Sequence, residues 1–152
     1  MLWAVLVGVC GCNTPQTFED VSSGAVYRDY VGAQYRLRVA MHISGVTAPP
    51  GYEKRVDYYV VNPAAPSWSG PELITRATLA AGTMVTVESL RRCTNCPFEE
   101  VVEARIRVFN HEPEFDRPIH IHLKYLAPDY AVKQPASNDS PPHLETRLQG
   151  RR

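Results

Sequence analysis

Apolar side chains recur at every second position in several stretches of this chain, and that period marks half-buried β-strands. From Gln34 to Ile43, Tyr35, Leu37, Val39, Met41 and Ile43 fall on one side, and Arg36, Arg38 and His42 on the other. Val56 to Val61 is a second strand signal, Val-Asp-Tyr-Tyr-Val-Val. Leu79-Ala-Ala-Gly-Thr83 reads as a tight turn feeding a strand over Met84–Arg92. Glu100 to Phe109 alternates again, with Val102, Ala104, Ile106 and Val108 inward and Glu103, Arg105 and Arg107 outward. Pro118 to Tyr125 repeats the pattern, with Ile119, Ile121, Leu123 and Tyr125 inward and His120, His122 and Lys124 outward. The expected core therefore includes Leu37, Val39, Ile43, Val60, Val85, Val87, Val102, Ile106, Val108, Ile121 and Leu123. No long window carries a 3.6-residue period. Glu72–Ala80 is the one place for a short helix.

Breaker clusters separate these stretches. Thr47-Ala-Pro-Pro-Gly51 follows the first strand, and Asn62 to Pro71 carries three prolines, a glycine and Trp68. The pattern predicts an all-β fold: a small antiparallel barrel or sandwich of five to six strands. Four regions follow: an apolar segment over residues 1–12, a polar tether over 13–24, one β domain over 25–133, and a disordered Pro/Ser/Asn-rich tail over 134–152. Some 120 residues between the apolar segment and the tail support one core and not two. The 13 prolines and 8 tyrosines suit a loop-rich β protein. Sixteen basic residues balance sixteen acidic ones, so no net charge draws the chain to nucleic acid.

The apolar segment adds an address. Met1 to Cys12 is apolar up to Val9-Cys10-Gly11-Cys12, and polar residues start at Asn13. The run is far shorter than the roughly 20 residues that span a bilayer. An aliphatic residue at −3, a small one at −1 and then cysteine resembles the lipobox of bacterial lipoproteins. Upstream it departs from that pattern, because no basic residue precedes the apolar run. The resemblance implies cleavage before Cys12 and lipidation of its sulfur. Asn13 rather than Asp after the cysteine implies sorting to the outer membrane, facing the periplasm of a Gram-negative bacterium. The competing reading is a buried N-terminal strand. Further along, Leu79-Ala-Ala-Gly-Thr-Met-Val-Thr-Val87 resembles the turn-and-strand segment of bacterial SH3-like domains, which implies SH3-like topology.

Candidate chemistry is sparse. Cys93 and Cys96 remain as a pair once Cys10 leaves with the leader and Cys12 carries lipid. Two cysteines three apart in a turn can close a disulfide, which an oxidising compartment favours. His120 and His122 share one face of a strand, so with Cys93 and Cys96 they form the alternative, a Cys₂His₂ zinc site. No metal is otherwise implied, and no cofactor. The outward Arg36, Arg38, Arg105 and Arg107 suit an anionic partner, or else form a solvated face of weak ion pairs. Tyr52 and Trp68 sit in Pro/Gly-rich loops, where aromatics anchor peptides or sugars or cap a small core. The catalytic signatures Gly-x-Ser-x-Gly, His-Glu-x-x-His, the Walker loop and the dinucleotide fingerprint are missing. The expectation is a non-catalytic, lipid-anchored envelope module that recognises a protein, peptide or glycan. The rivals are an immunity or inhibitor lipoprotein that blocks an envelope-targeting enzyme, and an accessory subunit of an envelope assembly.

Overall fold

The computed structural model describes residues 15–48, 53–67, 70–97, 100–109 and 115–135. They fold as an all-β structure: β1 (Phe18–Asp20), β2 (Gln34–Leu37), β3 (Met41–Val46), β4 (Tyr58–Asn62), β5 (Leu73–Leu79), β6 (Met84–Cys93), β7 (Val102–Val108), β8 (Ile119–His122) and β9 (Ala131–Lys133). Among the described residues these form one open nine-stranded sheet in the order β5-β3-β4-β8-β7-β6-β2-β9, with β1 also paired to β6. The barrel of five to six strands is therefore replaced by a larger open sheet. All pairs are antiparallel except β4 with β8.

The longest strand, β6, organises one half. Along one side it pairs with β7 over Val85–Arg92. Along the other it holds two short strands end to end: β2 against Met84–Thr86 and β1 against Arg91–Cys93. The excursion between β1 and β2 is tied to the same edge, with Gly32 N–H donating to the Val87 carbonyl at 2.8 Å and Leu90 N–H to the Ser22 hydroxyl at 2.8 Å. The turn before β6 needs Gly82 at φ 90°, a conformation that costs glycine nothing.

Buried side chains from β2 through β9 merge into one cluster, including Leu37, Ile43, Val61, Leu79, Val87, Ile106, Ile121 and Ala131. Leu79 and Ala131 come from the two edge strands. The core therefore extends across the whole width of the sheet, from one edge strand to the other.

The structure departs from the periodicity at identifiable places. The stretch Gln34–Ile43 is two strands, because the backbone bends over residues 38–40, and Val39 at the bend is 37% exposed. In β4 the inward residues are Tyr59 and Val61, whereas Val60 is only half-buried. The run Tyr58–Val61 carries apolar or aromatic side chains at every position, so alternation gives no parity there. The stretch with room for a helix is β5, which pairs with β3. Its Ile74, Thr75 and Thr78 are β-branched, and at the sheet edge Thr75, Arg76, Ala77 and Thr78 are all exposed, which erases the alternation. Leu123 and Tyr125 lie in a 3₁₀ turn, Leu123–Leu126, rather than on a strand. At the N-terminal side, Phe18–Asp20 belongs to the sheet although the sequence places it in a tether. Gln134 N–H still donates to the Gln34 carbonyl at 2.8 Å. The expected tail from residue 136 onward lies outside the described residues.

Leu37 and Ile121 are 2% and 0% exposed. Replacing either with alanine is expected to cost about 2–5 kcal/mol, read from urea unfolding. Val39→Ala should shift the midpoint far less, because its side chain already meets water.

Candidate functional site

The site begins with a defect in β6. Val87 pairs with Ile106 and Ser89 with Arg105, so Glu88 is an extra residue between two rungs. Such a bulge re-aims its side chain and reverses the inside–outside parity beyond it. Hence Val85, Val87 and then Leu90 are buried, and Glu88 turns outward. It reaches Arg105 and Arg107 of β7, with Glu88 Oε2 3.2 Å from Arg105 Nε and Oε1 3.8 Å from Arg107 Nε. Both guanidiniums remain about half exposed, 50% and 54%, so these pairs contribute little stability.

Next to this trio lies a cleft of about 210 Å³, lined by Glu88, Arg105, Arg107, Phe115, Asp116 and Arg117 among others. Arg117 Nε is 3.8 Å from Asp116. Three guanidiniums against two carboxylates leave the cleft positive by one charge. Planar guanidinium forks suit carboxylate or phosphate oxygens. Glu88 approaches Arg105 and Arg107 at their Nε atoms.

Behind the cleft the outer face carries buried polarity. His120, expected as an exposed strand residue, is only 6% exposed. It sits on β8 between β4 and β7, where Val60 and Arg105 are its register partners. Tyr58 packs edge-on at 6.1 Å between ring centroids, and Nδ1 has no hydrogen-bond partner. Burial, with repulsion from Arg91 and Arg105 added, pushes the imidazole down to about 4. Beside it, Arg91 donates from Nε and Nη2 to Glu103 Oε2 at 2.9 and 2.7 Å.

A second cluster forms at the far end of β6. Cys93 and Cys96 are joined as a disulfide, with Cα atoms 5.7 Å apart. Their sulfurs are thus bonded to each other and supply no thiolate for a metal site with His120 and His122. Among the described residues no group of three His, Cys, Asp or Glu is placed to hold a metal. The disulfide shapes a tip that grips the N-terminal segment. Asn95 Oδ1 accepts from Thr17 N–H at 2.8 Å, and Asn95 Nδ2 donates to the Pro15 carbonyl at 2.9 Å. Thr94 N–H donates to the Thr17 carbonyl at 2.9 Å, and the two threonine hydroxyls lie 2.5 Å apart. Beyond the tip, Arg92 pairs with Glu19, and the Arg91 guanidinium stacks 4.1 Å over the Phe18 ring.

The expected arginine patch divides. Arg105 and Arg107 share the cleft. Arg36 is across β6 from them, opposite Met84, roughly 12 Å from Arg107 for two strand spacings and two residues of offset. Arg38 donates to the Pro128 carbonyl at 2.7 Å. Cys12, Tyr52 and Trp68 lie outside the described residues. Glu88 falls among the outward arginines in the sequence, but its role at a bulge is visible only in the fold. The adjacent apolar spacing Val85, Val87, Leu90 is the signal that marks the bulge, while Arg117 and Asn95 carry no local pattern.

Comparison with protein-family models, with curated proteins and with solved structures gives no match, so the reading rests on this geometry alone.

His120 makes stability depend on pH. Unfolded, the imidazole titrates near its ordinary 6.5; folded, near 4. Above about pH 6.5 both states hold it neutral and its contribution is complete. As pH falls toward 4 only the unfolded chain takes the proton, and up to about 3 kcal/mol is lost. Arg91 and Arg105 face it from β6 and β7, Tyr58 packs on it from β4, and His122 follows on the same side of β8. Urea midpoints should fall over that window, and His120→Leu should flatten the slope.

Proposed function

We propose that the protein is a non-catalytic binding module of the bacterial envelope, held at the outer membrane by lipid on Cys12, that captures a carboxylate- or phosphate-bearing protein, peptide or glycan. The observation that carries the recognition is the cleft beside β7, where Arg105, Arg107 and Arg117 converge on one opening. Glu88 serves as an internal carboxylate that pre-aligns two guanidiniums. An incoming anion competes for the same forks. Because Arg105 and Arg107 are about half exposed, recognition there is steered by charge and weakens with salt.

The anchor rests on the sequence at Val9–Cys12 and on the oxidised Cys93–Cys96 pair, which fits an oxidising compartment. Among the described residues no helix is long and apolar enough to cross a membrane.

A hexaglutamate peptide serves as a defined anionic probe. Its affinity, measured by calorimetry, is expected to drop at least about tenfold in the Arg105→Glu, Arg107→Glu double variant, a change of about 1.4 kcal/mol. The unfolding midpoint should barely move. Equal affinity in the two proteins, or no dependence on salt, rules the cleft out. Separately, Cys12→Ser is expected to move the protein from the membrane fraction to the soluble periplasm. A mature N-terminus that begins before Cys12 contradicts the anchor.

A further inference from the structure

We infer that the protein stands end-on against a lipid surface, with the disulfide tip Cys93–Cys96 facing the headgroups and residues 15–20 acting as a rigid strap. This rests on the reading of Cys12 as the lipidated residue. A polar tether of twelve residues would let the domain roam up to about 40 Å from its anchor. The structure leaves no such length. Among the described residues the pairing runs from Pro15, whose carbonyl accepts from Asn95 Nδ2 at 2.9 Å, through Thr17 to β1. Only Asn13 and Thr14 separate Cys12 from this clamp. Three Cα steps span at most about 11 Å.

That distance compares with a headgroup layer of about 6 Å on each side of the bilayer. The acylated sulfur would sit at the membrane, so Pro15 and the Asn95 that grips it stay beside the headgroups. The strap is held by more than one bond. Backbone pairing of Phe18, Glu19 and Asp20 with β6 resists peeling, and the Arg92–Glu19 pair adds to it. The anchor therefore enters at one end of β6. The other end, at Met84 and the Ala80–Thr83 turn, lies nine residues away along β6, about 30 Å at strand rise. Ser89 and Thr86, the register partners of Arg105 and Arg107, are four and seven residues from Cys93, about 13 and 23 Å along the strand. The arginine cleft is thus held above the lipid, within reach of a partner in the aqueous space and away from anionic headgroups.

The lipidated full-length protein, purified from membranes and placed in nanodiscs containing a gadolinium-chelating headgroup lipid, gives a direct readout by NMR. Amide signals of Thr17, Thr94 and Asn95 are expected to broaden severalfold more than those of Gly82 and Thr83. Asn95→Ala, which releases Pro15 and Thr17 while keeping both cysteines, should shrink that contrast. Equal broadening at the two ends, or stronger broadening at Gly82, overturns the orientation while leaving the anchor intact. An intact mass without acyl chains instead removes the anchor, and the orientation with it.

Discussion

The backbone pairing of β6 is the constraint on which the rest depends. Its ten residues hold β7 along one side and, on the other, β2 and β1 in line. A strand in that position cannot slip by one residue, because slippage would turn a buried face to water. The bulge at Glu88 fixes the register further. It allows Val85 and Val87 on one side of the defect and Leu90 on the other to reach the same core. The same defect supplies the outward carboxylate between Arg105 and Arg107. Packing and the candidate chemistry therefore share one local cause.

The middle of the sheet runs on a different rule. β8 lies between a parallel and an antiparallel neighbour, and Ile119, His120 and Ile121 are all buried. A buried imidazole without a partner for Nδ1 is costly. It is tolerated here as a neutral ring against Tyr58, with the Arg91–Glu103 pair alongside. His120 is one of four buried polar residues among those described, with Ser44, Thr47 and Thr86, and Arg105 of the cleft is its register partner.

Alternation made β7 legible to the residue: Val102, Ala104, Ile106 and Val108 face in, and Glu103, Arg105 and Arg107 face out. It also located β6 and the turn ahead of it. It failed where its physical premise fails. An edge strand with four consecutive exposed residues, β5, has no alternation to detect, and β4 is apolar or aromatic at every position from Tyr58 to Val61; β8 alternates in sequence, but its outward His120 is buried. Val39 shows that a continuous pattern does not require a continuous strand. The cysteine pair was legible because both partners lie in one turn. The grip of Asn95 on Pro15 and Thr17 spans about eighty positions, and no local period encodes a contact of that range. Arg117 reaches the cleft only through the fold.

The parallel seam between β4 and β8 has a consequence for how the chain assembles. On one side of it lie β5, β3 and β4, joined by neighbouring antiparallel pairs; on the other lie β8, β7 and β6. Each group is close in sequence and closes small loops. The seam joins Tyr59–Val61 to Ile119–Ile121 across sixty residues, and long loop closures are slow relative to local ones. During synthesis β4 must wait, with its outer edge open, until β8 has emerged. β4 is open to wrong pairing in that interval, and β9, which emerges later still, closes onto β2 across an even longer separation, Tyr35 to Lys133.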